Sequence, residues 1–260
     1  MTGLNLVALD VGNTRAQIGL FVNDRLERHT RIRTDDVAGI TAEAESMWSE
    51  IADAGEAAVV TASVDDESSV GITSAIRDRL GVRLFRVGED LPIPIGEQLD
   101  PETITGVDRL LNAAAAWDRL KQACVVVDAG TCVTVDFVDG VGTFQGGAIA
   151  PGAGMQLRAM HEHTAALPLF EFTRPDDEPY GKNTRQAMLQ GVAMGIRGLV
   201  WRLVEQYATS YGAFPQVIAT GGDAEAILGP DELINAIVPD LTLHGIAVAA
   251  RVGCFDDGDL

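Results

Sequence analysis

One pattern, used twice, constrains this chain more than any other. Near the N-terminus an apolar run, Leu4 to Asp10, ends in Val11-Gly12-Asn13-Thr14 and gives way to the alternating stretch Arg15 to Val22. In mid-chain, Val125 to Asp128 ends in Ala129-Gly130-Thr131 and gives way to Cys132 to Val138, again alternating. An apolar run followed by period-two alternation reads as strand, glycine turn, strand. Both copies continue into a further extended run, Leu26 to Ile32 in one and Thr143 to Ala150 in the other. Asp-x-Gly thus occupies the same point of two antiparallel meanders. Such a repeat predicts a duplicated unit, and 260 residues at 47% hydrophobic content leave room for two modest cores.

The rest of the chain supplies helices for the two sheets. Val37, Ile40, Ala44, Met47, Trp48 and Ile51 fall at helical spacing within 35–54, as one face packed on a sheet. Ala57 to Ser63 reads as a strand, Ser68 to Leu80 as a helix closed by Gly81, and Val82 to Val87 as a strand. This order predicts a mixed sheet flanked by helices. The proline-rich stretch Leu91 to Pro101 reads as a surface loop leading to a helix over Leu110 to Leu120. After the second meander, helices are expected over Met155 to His163 and Arg185 to Tyr207. Between them lies an acidic loop, Phe170 to Pro179, and Gly181-Lys182-Asn183-Thr184 caps the second helix. Val217 to Ala219 reads as a strand ending in a third glycine turn, Thr220-Gly221-Gly222. Helices are then expected over 225–228, 230–237 and 242–252, before an acidic tail from Asp256 to Leu260.

Charge narrows the partners. The formal net charge is −19, and the only lysines are Lys121 and Lys182, which disfavours nucleic acid and anionic membranes. An anionic nucleotide would have to be handled by a divalent metal and backbone N–H groups. No apolar run reaches the ~18 residues of a membrane span, and no secretory leader is recognisable, so a cytoplasmic location is expected. Cys124, Cys132 and Cys254 lack metal spacing; the first two, in apolar strands, read as buried free thiols.

Several residues are candidates for chemistry. Asp10 could hold a metal while Gly12, Asn13 and Thr14 offer N–H groups and a hydroxyl to phosphate; a plain hairpin turn is the alternative. Asp108 stands at a helix start, either as a carboxylate favoured by the helix dipole or as one aimed into a cleft beside Arg109. Gly146, Gly147, Gly152 and Gly154 permit close backbone approach. A nucleotide's adenosine end could lie over Gly221 and Gly222. Gly191, Gly195 and Gly198 interrupt the long helix at spacings of four and three, suited either to a subunit interface or to ordinary packing. His161 and His163 do not share a helical face and read as solvated.

Three glycine turns after strands, two in a duplicated Asp-x-Gly frame, resemble the actin, Hsc70 and sugar-kinase superfamily. Within it the chain closely resembles the type III pantothenate kinases. The motifs are Asp10-Val-Gly-Asn-Thr14, Ser63-Val64, Gly106-Val-Asp-Arg109 and Asp128-Ala-Gly-Thr131 with Thr134 and Asp136. They continue through Phe144-Gln-Gly-Gly147, Pro151-Gly152, Thr164 with Leu167-Pro168, Thr184 with Gly191, and Thr220-Gly-Gly222. The resemblance implies an α/β fold of two ribonuclease-H-like domains, residues 1–118 and 119–260, with the active site in the cleft between them. It also implies ATP-dependent phosphorylation of pantothenate to 4'-phosphopantothenate, the first step of coenzyme A biosynthesis, by a homodimer. Asp108 would be the general base and Asp10 the magnesium ligand, and Asp128 would sit near a monovalent cation, potassium or ammonium. Gly12, Asn13, Thr14, Gly130, Thr131, Gly221 and Gly222 would contact ATP. Gly106, Arg109 and Thr184 would contact pantothenate, Thr184 from the other subunit. The family's usual Tyr-x-x-Pro segment is replaced here by Gln98-Leu99-Asp100-Pro101. Two alternatives stay open on this fold: a non-catalytic regulator like the Bvg accessory factors, and a kinase of another small alcohol.

Overall fold

In the computed structural model, which describes residues 3–54, 56–63 and 66–255, the first repeat forms the meander β1 (Asn5–Val11), β2 (Arg15–Val22) and β3 (Arg25–Arg33). Asn23 and Asp24 take positive φ, 50° and 67°, the backbone that a two-residue hairpin needs to match the strand twist. The side chain of Asp36 accepts the Gly39 N–H at 2.9 Å and so opens α1 (Val37–Ile51). β4 (Ala57–Ser63) lies parallel to β1, and α2 (Asp66–Leu80) leads to β5 (Leu84–Arg86), parallel to β4. The strand order is β3-β2-β1-β4-β5.

Next come β6 (Gly96–Glu97) and α3 (Val107–Leu120), then the second meander, β7 (Cys124–Ala129), β8 (Cys132–Val138) and β9 (Thr143–Pro151). α4 (Ala153–Glu162) and the long α5 (Thr184–Tyr211) precede β10 (Gln216–Thr220), α6 (Ala224–Leu228), β11 (Ala236–Ile237) and α7 (Leu241–Ala250). A π-helical turn, Arg251–Phe255, ends the described chain. The second sheet has the order β11-β10-β7-β8-β9-β6. Apart from β6, its strands occupy the places of β5, β4, β1, β2 and β3, with the same parallel and antiparallel pairings. The expected duplication is present strand for strand.

Alternation along each first strand decides which side chains face which helices. Val7, Leu9 and Val11 pack with Ile40 and Met47 of α1 and Ile72 and Ile76 of α2. Leu6 and Ala8 pack on the other face with Leu111 of α3 and Leu243, Ile246 and Ala250 of α7. Asp10 continues that second series. In the second sheet Val125, Val127 and Ala129 pack with Met188, Val192 and Ile196 of α5, which puts Asp128 on the opposite face.

Three expectations are corrected. Residues 230–237 form no helix. Leu233 N–H goes to the Asp231 carboxylate, which also takes the Trp201 Nε1–H; Asn235 N–H goes to Val217 O at 2.9 Å and its Oδ1 takes the Val217 N–H at 2.7 Å, so the segment is tied to β10 and ends as β11 beside it. Within Leu91 to Pro101, the loop includes a strand, β6, parallel to β9, fixed by Gln98 N–H to Phe144 O at 3.0 Å. The expected boundaries of 1–118 and 119–260 also differ from the compact units observed. One unit holds Met1–Ile95, Asp100–Asp118 and the residues from Asp240 onward; the other holds Gly96–Leu99 and Arg119–Pro239. α7 is buried almost all round and needs walls on several sides, which β1, β2, β4 and α3 supply. Gly245 allows the approach, since a Cβ there would collide with the Leu111 carbonyl. Val64 and the tail from Asp256 to Leu260 lie outside the described residues.

The start of α7 carries a pH-sensitive contact. The Asp240 carboxylate lies 3.6 Å from His244 Nε2 and 3.9 Å from His29 Nδ1. The hydrogen bond with His244 holds it below the usual carboxylate range. A lowered folded-state pKa gives stability that is complete above the unfolded value and is lost as pH falls through the folded one. The urea-midpoint advantage of wild type over Asp240→Asn is therefore expected to be fully developed at about pH 5 and to shrink below the ordinary value of 3.8. An advantage unchanged down to about pH 2 would refute the pairing.

Candidate active site

In the first unit, β1 delivers Asp10 half-buried at its end, and the turn exposes Asn13 and Thr14. Gly12 N–H donates to Arg15 O at 3.2 Å and closes the turn. Thr34 braces it from beneath: its hydroxyl donates to Gly12 O at 2.9 Å and its N–H to Thr14 O at 3.2 Å. Ser63 Oγ donates to Val11 O at 3.3 Å. Thr34 had no signal in the sequence, because its role depends on β3 returning beside the turn.

Asp108 lies in the first turn of α3, half-buried, and its Oδ1 accepts the Arg109 N–H at 2.9 Å. The helix-start reading of this residue is met by that bond, which uses one oxygen of the carboxylate. Gly106 makes room for it; a Cβ there would stand 2.6 Å from Asp108 Oδ1. α3 packs through Val107 and Leu111 on the face of the first sheet that carries Leu6, Ala8 and, by alternation, Asp10. The base candidate and the metal-ligand candidate thus belong to one face of one unit.

In the second unit the glycines converge on Asp128. Gly130 N–H donates to Cys132 O at 2.9 Å and forms the β7–β8 turn, with Thr131 exposed. Gly221 has φ of 98°, and a Cβ on it would collide with Asp128 Oδ1 and Ala129 O. Asp223 N–H donates to the same Ala129 carbonyl at 2.9 Å. The β10 turn bearing Gly221 and Gly222 is in this way pressed against the β7 turn, which the parallel register Thr220 to Asp128 makes possible. Gly152 has a comparable duty: its Cβ would strike the carbonyls of Gly130 and Thr131.

Thr184 is placed apart from these turns. It is exposed at the start of α5, whose cap is Asn183 accepting the Gln186 N–H at 2.9 Å. It lines a cavity of about 670 Å³ with Gln156, Met160, Leu167, Met188 and Val192. No residue of the two glycine turns lines that cavity, and α5 covers the face of the sheet opposite Asp128. Gln98, at the departure from the family motif, meets Gln145 Nε2 through its Oε1 at 3.1 Å.

Among the described residues no three His, Cys, Asp or Glu side chains gather as a metal site. The donors at each turn are oxygens, one carboxylate apiece. That fits magnesium, which keeps waters and takes one or two carboxylates together with substrate phosphates, and it fits a hard monovalent cation at Asp128. The cysteines are free; burial pushes the Cys124 thiol up to about 12, as expected of an inert core residue, whereas Cys132 is only half-buried.

Two glycine turns at equivalent places of duplicated sheets are shared by many phosphate-handling proteins, so family membership rests on comparison. Residues 6–206 match the model of the type III pantothenate kinase family. The chain is a member of the type III pantothenate kinases. Relatives of that description include the protein of Anaeromyxobacter sp. (strain Fw109-5), 33% identical over 251 residues, covering 93% of this chain and 96% of the relative. Another, from Ruegeria pomeroyi, is 34% identical over 253 residues, with 95% and 96% covered. This kinase therefore phosphorylates pantothenate with ATP, in coenzyme A biosynthesis. Among solved structures it is similar to a Campylobacter jejuni protein assigned to the Baf family of transcriptional activators. That likeness has a TM-score of 0.62 at 17% identity and covers 95% of this chain and 98% of the other. It is also similar to component A of (R)-2-hydroxyglutaryl-CoA dehydratase from Acidaminococcus fermentans, with a TM-score of 0.51 at 13% identity, covering 96% and 98%. At these identities the likeness is one of fold.

Proposed function

We propose that the pantothenate kinase carries out transfer with Asp108 as the general base. The observation that carries this is the placing of Asp108 at the head of α3, with Gly106 left bare beside it, on the sheet face that carries Asp10. Asp108 takes the proton of pantothenate's primary hydroxyl as its oxygen bonds to the γ-phosphorus of ATP and the bond to the β,γ-bridging oxygen breaks, releasing ADP. Asp10 holds magnesium, which when bound neutralises charge on the phosphates. The exposed Asn13, Thr14 and Thr131 present N–H groups and hydroxyls to phosphate oxygens, while Gly12 and Gly130, whose own N–H groups close their turns, leave the backbone bare for close approach. Asp128 faces the monovalent cation, potassium or ammonium, which stands in for the lysines this chain lacks near its turns. Gly221 and Gly222 underlie the adenosine, and Gly106 and Arg109 receive pantothenate.

Thr184 serves the neighbouring subunit of a homodimer. Its place at the start of α5, the helix that covers the sheet face opposite Asp128, favours this. So does the outer surface of α5, where a Cβ on Gly191, Gly195 or Gly198 meets nothing within 4 Å and Met194 and Trp201 are exposed. A cytoplasmic location, where ATP is at hand, completes this reading.

A coupled assay of ADP release tests the reading, with pantothenate and a panel of small alcohols, with and without potassium. Turnover of pantothenate that depends on potassium is the expected result. Turnover of a sugar but not of pantothenate would instead favour the altered Gln98 segment as a determinant of another acceptor. The Baf-family likeness carries the fold alone and gives a regulatory role no separate support.

A further inference from the structure

Gln17 is unexplained by the fold and by the roles assigned so far. It stands on β2 directly opposite Asp10, its Cα partner in the β1–β2 register. Opposite residues of an antiparallel pair project to the same face with Cβ atoms about 4.5–5.5 Å apart. That face is the one on which α3 packs. Gln17 Oε1 is buried and takes no hydrogen bond among the described residues. Arg31 comes next in the same row, as the Cα partner of Gln17 on β3, yet the carbonyl takes no bond from it.

A buried amide oxygen without a donor loses its water and gains nothing in return. Beside a carboxylate, which is also acceptor-only, the atom is matched by a group that brings positive charge or a polarised O–H. The duplicated unit shows that the fold does not demand it: the Cα partner of Asp128 is Thr134, a short hydroxyl. Opposite Asp10 the first unit thus sets a long amide, where opposite Asp128 the second sets a short hydroxyl.

We propose that Gln17 is a positioning residue for the metal-nucleotide, its Oε1 accepting a hydrogen bond from a water on the magnesium that Asp10 holds. The inference rests on the reading of Asp10 given above and adds a chain-specific second contact to it. No proton is transferred at Gln17; the amide would orient the hydrated ion.

Titration calorimetry of the whole enzyme with ATP, once with magnesium and once with chelator, tests this without turnover. Gln17→Leu keeps the size and removes the acceptor. It is expected to weaken magnesium-ATP roughly tenfold, to leave metal-free ATP unchanged, and to keep or raise the melting temperature. Gln17→Glu, which restores an acceptor, is expected to recover the metal-dependent affinity. Equal weakening with and without metal, or no weakening at all, would overturn the proposal. Asp10→Asn separates the two layers. Loss of the metal-dependent affinity in that variant with retention in Gln17→Leu rejects Gln17 alone, whereas retention in Asp10→Asn rejects the magnesium reading of Asp10 and Gln17 with it.

Discussion

Replacing Asp108 by Asn is expected to lower kcat by about 10²–10⁴-fold, the usual worth of a general base, while leaving the fold and the affinity for magnesium-ADP as they are. The separation follows from geometry. Asp108 Oδ1 accepts the Arg109 N–H at 2.9 Å, and an asparagine carbonyl can accept the same donor, so the head of α3 keeps its first turn. Gly106 still faces a side chain of the same shape. What the amide cannot do is accept the proton of the attacking hydroxyl. ADP release measured at saturating pantothenate, with calorimetry on magnesium-ADP beside it, reads both quantities. A kcat within about threefold of wild type would place the base elsewhere, since the effect sought is at least about a hundredfold.

Gly221→Ala is expected to act through structure rather than through chemistry. Its φ of 98° lies in the left-handed region, and the added Cβ would meet Asp128 Oδ1 and Ala129 O. Those atoms belong to β7 and to the carbonyl that also receives Asp223 N–H, so neither can retreat without loosening the parallel β7–β10 pairing. Strain of about 1–3 kcal/mol for the backbone and a similar cost for overpacking give an expected loss of roughly 2–4 kcal/mol, allowing for partial relaxation. Urea unfolding reads the stability. ATP affinity should fall with it, because the turn that moves is the one assigned to adenosine and its neighbour is the one assigned to phosphate. Wild-type stability in this variant would mean that the β10 turn is not pinned against Asp128.

Much of this architecture was legible from local pattern. An apolar run, a glycine turn and an alternating run specify a strand pair through backbone periodicity alone, and the same pattern written twice specified two sheets. Asp10 and Asp128 could be placed at strand ends for that reason, and Asp108 at a helix start. The helix expected over 230–237 failed because local propensity was outbid by the bonds of Asp231 and Asn235 to partners distant in sequence. β6 was hidden because a two-residue strand has no period to detect.

The sequence by itself determined the elements, their duplication and the residues at the mouths of the turns, since each is encoded within a few neighbouring positions. Only the tertiary structure decided what those residues face. Alternation sets Asp10 on the α3 side, parallel register presses Gly221 against Asp128, and α7 joins the first unit. Cross-strand register also leaves the Gln17 carbonyl buried beside Asp10. Each of these depends on segments far apart in the chain, whose association is governed by burial and by the closing of long loops rather than by local periodicity.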